Sequence, residues 1–196
     1  MLKRRQSGFN LIELLVTITV LAVMMALAVP TFTTWIRNAR IRAVTDALQS
    51  GLRLSQAEAQ RRSHTVAFFL TNSKNCAMAD TAIVGGNYWQ VRTVPNALLT
   101  GDAAEVLQCG VLTDVSSTVR LTSATAVLCF GADGRQTSAT NPAAIGLDCT
   151  AAAALYDVAP STTGAEDRPL RVTVSLAGGI RLCDPGKSSS TPEGCR

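Results

Sequence analysis

Glu13 is the first residue of this 196-residue sequence that demands a chemical explanation. It stands in FNLIELLVTITVLAVMMALAVP, residues 9–30, where every other side chain is uncharged. An ionised carboxylate in hydrocarbon is costly unless it meets a cation, so the chemistry expected of Glu13 is ion pairing in an apolar medium. A second set of reactive groups is Cys76, Cys109, Cys129, Cys149, Cys183 and Cys195, all C-terminal to the apolar run. Their separations are 33, 20, 20, 34 and 12 residues, with no CxxC pair. The usual zinc and redox-active spacings are therefore missing, and structural disulfides formed in an oxidising compartment are the expectation. The pairing stays open; proximity along the chain favours Cys183 with Cys195 and Cys129 with Cys149, which leaves Cys76 for Cys109.

Catalytic machinery is sparse. His64 is the only histidine, so neither a histidine metal cluster nor an imidazole relay is available. It is expected to be an ordinary surface or cap residue where a helix gives way to a strand. GxxxxGK[ST] and GxGxxG do not occur, and Gly85-Gly86 and Gly178-Gly179 are too short for phosphate loops. Asp133, in GADGR, lacks the spaced oxygen ligands of a calcium loop. No catalytic residue, metal or cofactor is expected.

The elements that carry these residues differ in composition. Hydrophobic residues make up 47% of the chain and charged residues 16%, too apolar for a disordered chain, but much of the apolarity is local to the N-terminal run. The 21 residues from Phe9 to Val29 are long enough, at 1.5 Å each, to cross about 30 Å of hydrocarbon. Lys3, Arg4 and Arg5 precede that run and are expected to stay on the cytoplasmic side. They also account for most of the formal +4 charge. Beyond them the cations are concentrated between residues 31 and 63, where Arg37, Arg40, Arg42, Arg53, Arg61 and Arg62 face only Asp46 and Glu58. A secretory signal peptide cut after Ala28 is one reading of the segment. Glu13 and the helical pattern that continues beyond Pro30 argue against it.

From Thr31 to Ser63, Ile41, Val44, Leu48, Leu52, Ser55 and Ala59 recur at spacings of three and four, the stripe of a helix that lays one side on a domain. Pro30 removes a backbone hydrogen bond and is expected to bend a helix of about 54 residues, roughly 80 Å long. The period then changes. Residues 65–70, 88–94, 119–122, 126–130, 170–176 and 180–183 are short β-branched or aromatic runs, punctuated by GADGR and AGG as hairpin turns. Antiparallel sheet is the natural reading. Residues 71–87, 96–118 and 136–168 are less regular, and AAAALYDV reads equally as a helical turn or an edge strand.

Gly8, Phe9, Asn10, Leu11, Ile12 and Glu13, followed by the uninterrupted apolar run, resemble a type IV prepilin leader. The resemblance implies that a prepilin peptidase on the cytoplasmic face cuts between Gly8 and Phe9 and N-methylates Phe9. It also implies that Glu13 pairs with a neighbouring subunit's terminal amine, and that Pro30 marks the usual bend. Trp89 to Val94, AVLCFGADGR and PLRVTVSLAGGIRLC resemble the GspH/FimT/FimU group of minor pilins and pseudopilins. The implied fold is α+β and type IV pilin-like: a long N-terminal helix, half membrane anchor and half amphipathic, packed on a C-terminal antiparallel β-sheet domain. The expected organisation is a leader at 1–8, an anchor and assembly helix at 9–30, an amphipathic half at 31–63 and a β-rich domain at 64–196.

The implied protein is a non-enzymatic minor pilin of a type IV pilus, anchored once in the inner membrane with its globular domain in the periplasm, and partnered by other pilins. Two alternatives share the leader. One is a type II secretion pseudopilin. The other is a DNA-capturing pilin, because some FimT-type members bind DNA through GRxR on the final hairpin. Here the string is Gly178, Gly179, Ile180, Arg181, so the first arginine of the motif is a glycine. Arg181, Arg171 and Lys187 are the candidate DNA contacts, with Arg168 and Arg196 nearby in sequence. Glu166, Asp167, Asp184 and Glu193 lie in the same stretches, so weak, sequence-independent binding is the most they imply.

Overall fold

The computed structural model describes residues 10–112, 118–162, 164 and 166–195. The expected cleavage junction, Gly8 and Phe9, lies outside the described residues. The chain forms two compact units, Met1–Ile36 and Arg37–Arg196. A single helix, α1 (Leu11–Arg62), begins in the first unit, continues through Pro30 and ends in the second.

In the second unit α1 buries Ile41, Val44, Thr45, Leu48, Gly51, Leu52, Ser55 and Ala59, the stripe that sequence spacing marks out. The buried polar members do not disturb this face. Thr45 and Ser55 donate their hydroxyls to the carbonyls of Ile41 and Leu52 one turn back. Gly51 admits aromatic rings: a Cβ there would meet Phe68 and Trp89 at 3.0 Å. Those two rings stack with centroids 6.0 Å apart.

Among the described residues nine strands follow: β1 (Val66–Thr71), β2 (Tyr88–Thr93), β3 (Val106–Val111), β4 (Val119–Ser123), β5 (Val127–Phe130), β6 (Gln136–Thr137), β7 (Ala154–Pro160), β8 (Leu170–Val174) and β9 (Ile180–Cys183). They form two antiparallel sheets, ordered β3-β2-β1-β5-β6 and β4-β7-β8-β9, as the antiparallel expectation requires. Three strands lie in segments that sequence patterning left irregular: β3, the two-residue β6 and β7. β3 is a half-buried edge strand whose Gln108, Cys109 and Gly110 give little β signal. β7 (ALYDVAP) alternates inward and outward and lies between β4 and β8, so the segment read as a helical turn or an edge strand is an interior strand. Its inward positions include Ala154 and Pro160, which hide the alternation.

One core lies between α1 and the inner faces of both sheets. It contains Val66, Phe68, Leu70, Val91, Leu128 and Phe130 from the five-stranded sheet and Leu121, Tyr156, Val158, Val172 and Val174 from the other. The sheets join at their turns. Gln56 on α1 donates from Nε2 to the carbonyls of both Gly134 (2.8 Å) and Gly178 (2.9 Å), the glycines of the two expected hairpin turns. The backbone N–H of Gln136 donates to Leu176, and its Nε2 to the carbonyls of Val174 and Ser175.

A second core covers the opposite face of the five-stranded sheet. Ala67, Phe69, Val127 and Cys129 are sealed by Ile145 and Cys149 from a loop, so β1 (VAFFLT) is buried on both faces. Disulfides Cys76–Cys109 and Cys129–Cys149 tie the covering loops to β3 and β5, and Cys183–Cys195 ties the C-terminal tail to β9. The centre of this outer layer is a cation. Arg92 is fully buried, 5.1 Å above the Phe69 ring, and donates to Gln90 Oε1 and the carbonyls of Ala77, Asp80 and Ala143. Burial pulls its pKa below the ordinary arginine value, with Asp80 opposing the shift.

The touching turns set a stringent test. Gly178 has φ +84°, and a Cβ there would fall 2.1 Å from the Gly134 carbonyl oxygen. Gly178→Ala is expected to destabilise the domain by about 2 kcal/mol or more, read as a lower urea midpoint; an unchanged midpoint contradicts the packed turn.

Candidate functional site

The first unit presents an uncovered apolar helix. Large side chains from Leu11 to Val29 are about half exposed or more, with Leu11 at 77% and Leu27 at 73%. The helix is long and apolar enough to cross a membrane by length and composition. Its threonines conceal their polarity, since Thr17 and Thr19 donate to the carbonyls of Leu14 and Val16 at 2.8 Å. Glu13 lies in the first turn of α1, its backbone N–H donating to Asn10, and its side chain is exposed. A carboxylate on an otherwise apolar rod offers one ion pair to whatever covers the rod.

The second unit holds its own part of α1 at both ends. Near Arg37, Asn38 donates to the Glu166 carbonyl and accepts from the Arg168 N–H, while the Arg37 guanidinium pairs with the buried Asp167 carboxylate at 3.1 Å. Arg40 donates to the Thr118 hydroxyl. At the other end Glu58 accepts from both Arg61 and Arg62, and Arg62 also reaches Glu105 at 2.7 Å. These two guanidinium groups hold the Glu58 carboxyl down to about 2. The arginines that gave residues 31–63 their positive charge thus serve partly as clasps between helix and loops.

The candidate DNA contacts do not form a free cationic cluster. Arg171 donates twice to Asp157, its cross-strand neighbour on β7, at 2.6 and 3.1 Å. Lys187 is joined to Glu193. Arg181 is exposed on β9, opposite Thr173. Arg168, Glu166 and Asp167 belong to the loop that grips α1 at Arg37 and Asn38. Strand register therefore neutralises Arg171, which the sequence alone leaves as a free cation.

His64 has a partner that sequence did not indicate. Its Nε2 lies 2.7 Å from Asp102 Oδ2 and its Nδ1 3.1 Å from the Thr65 carbonyl, so only the protonated ring donates to both. Asp102 also accepts from the Asn96 N–H, which closes the loop between β2 and β3. The Asp102 hydrogen bond is the largest cause raising the His64 pKa above its ordinary 6.5. The Asn96 N–H and His64 lower that of Asp102 below 3.8. His64 contributes stability that is complete below pH 6.5 and lost as pH rises through its raised folded value. Asp102 contributes stability that is complete above pH 3.8 and lost as pH falls through its depressed folded value. The pair's effect is greatest between pH 3.8 and 6.5. Thermal melts should show the domain losing stability above that window, and Asp102→Asn should flatten the loss; identical profiles for the two proteins would contradict the pairing.

Residues 44–178 match the family model described as type II transport protein GspH. Residues 3–29 match the prokaryotic N-terminal methylation motif. Among solved structures, the type IV minor pilin FimU of Pseudomonas aeruginosa aligns at TM-score 0.48 and 15% identity, covering 80% of this chain and 95% of that one. The minor pseudopilin EpsH from the type 2 secretion system of Vibrio cholerae aligns at TM-score 0.47 and 14% identity, covering 76% and 99%. No curated protein matches the sequence.

Proposed function

The chain belongs to the type II transport protein GspH family, and on that premise we propose that it is a minor pilin, cut between Gly8 and Phe9, N-methylated at Phe9 and built into a type IV pilus. The observation that carries this reading is the bare apolar surface of α1 from Leu11 to Val29, on which Glu13 is the only charge. A surface of that size is stable in lipid or against other helices, and in water it would aggregate. The matched methylation motif supports the processing step.

Its work is assembly instead of catalysis. Before assembly the apolar segment lies in the inner membrane, and the domain folds in the periplasm, where three disulfides are chemically at home. On entry into the filament, Ile12, Leu14, Leu15 and Val16 exchange lipid for neighbouring helices. Glu13 then takes the terminal ammonium of an adjacent pilin, and the two charges are buried as a pair. The peptidase, the inner membrane and the other pilins are the partners of this cycle.

The family description favours a second reading, a minor pseudopilin of a type II secretion system, which uses the same anchor and the same cycle. The major subunit that co-purifies in sheared filaments separates the two. Carboxylates engage Arg171 and Lys187, two of the three candidate DNA contacts, and we do not adopt the DNA-capturing alternative.

Glu13→Ala tests the assembly step. The variant should insert in the membrane as well as the parent, while its ratio of filament to membrane protein falls about tenfold or more, because an unpaired ammonium would remain in the bundle. An unchanged ratio contradicts the pairing.

A further inference from the structure

Where the apolar surface ends, the first unit carries a feature that the assembly reading leaves unused. Phe32 and Trp35, one turn apart on α1, stack with centroids 6.0 Å apart and planes 25° apart. They are 61% and 65% exposed. The rings border a shallow recess with Ala28 and Val29. Around them the composition changes from aliphatic to threonine: Thr31, Thr33 and Thr34. Thr33 and Thr34 both donate to the Pro30 carbonyl, at 2.9 and 3.0 Å, so their hydroxyls are satisfied without water.

We propose that the Phe32–Trp35 pair is a lipid-interface anchor: in the unassembled subunit it sits at the acyl–headgroup boundary of the leaflet on the C-terminal side of the span. The inference rests on the membrane-anchored state proposed above. Three observations select the interface over the hydrocarbon or water. The rings adjoin the end of the uncovered apolar run, sharing a recess with Ala28 and Val29. Trp35 carries an indole N–H, which hydrocarbon cannot satisfy and headgroup oxygens can. The third is length. Glu13 and Trp35 are 22 residues apart, roughly 33 Å along a helix, against a hydrocarbon thickness of about 30 Å.

That spacing gives the pair a role beyond adhesion. With Trp35 in one headgroup belt, Glu13 reaches the opposite one, where its carboxylate is hydrated. Movement of the helix toward the C-terminal side draws Glu13 into hydrocarbon and lifts the rings into water. Both changes oppose extraction. The carboxylate is thus tolerated in the resting membrane and becomes costly on leaving it, until a neighbour's ammonium meets it. The aromatic pair fixes the depth from which assembly starts.

The chain has only two tryptophans, and Trp89 is 6% exposed within the domain core, so quenching from lipid reports on Trp35. The full chain is reconstituted in phosphatidylcholine–phosphatidylglycerol vesicles brominated at a shallow or a deep acyl position. Trp35→Phe serves as the control, which leaves the domain core untouched. Flotation is measured on the same samples. The expected result is co-flotation, with shallow-brominated lipid quenching about twofold more than deep-brominated lipid and the quenched component absent from Trp35→Phe. Co-flotation with stronger quenching from the deep position overturns the placement and leaves the anchor standing. Co-flotation without quenching, with emission that changes with protein density, also overturns it and assigns the rings to a second copy of the chain. Failure to float overturns the membrane anchor itself, and this placement with it.

Discussion

One helix must satisfy two solvents. From Leu11 to Val29, α1 has no partner among the described residues and, Glu13 apart, presents uncharged side chains around its whole circumference. From Ile41 to Ala59 it presents a stripe, and that stripe supplies one wall of the main core. The change occurs within a single element, without a loop to absorb it, so the features around it serve to hold each half in its own environment. The boundary between compact units falls between Ile36 and Arg37, where the first residue able to clasp the domain appears.

The clasps are polar because the helix is already committed to apolar contact on its buried face. Asn38 completes the backbone bonds of the loop between β7 and β8, and Gln56 bridges the two hairpin turns. Arg62 and His64 fix the loop between β2 and β3 through Glu105 and Asp102. Each joins α1, or the turn that follows it, to a segment far away in sequence. Two small sheets with short strands gain a common frame in this way. On the far side, Arg92 and two disulfides give the five-stranded sheet a third layer made of loops instead of helices. The buried guanidinium acts by supplying donors to carbonyls that would otherwise need water.

What the sequence revealed and what it hid follow from the range of the interactions involved. Glu13, the apolar run and the stripe from Ile41 to Ala59 are local patterns, legible at their spacing. The run at β1 reads as a strand because both of its faces are apolar, as a doubly buried strand requires. β3 and β7 were obscured because their inward or half-buried positions hold Cys, Gly, Ala and Pro in place of β-branched residues. Arg92 in YWQVRTV looks like a solvent-facing strand residue, since nothing near it in sequence announces the loops that bury it. His64 and Asp102 lie 38 residues apart, and Arg171 meets Asp157 only through strand register. Such pairings belong to topology, which single-residue spacing does not encode.

Assembly turns on the fate of the N-terminus, because a subunit that assembles through α1 must keep that helix and lose the cations before it. The decisive measurement is the N-terminal mass of the protein recovered from membranes. Processing between Gly8 and Phe9 gives a mature chain that begins with N-methylated phenylalanine and retains Glu13 four residues further on. A mature chain that begins at Val29 would mean the apolar run had been discarded as a signal peptide, and would contradict the proposal that α1 carries this protein into a filament.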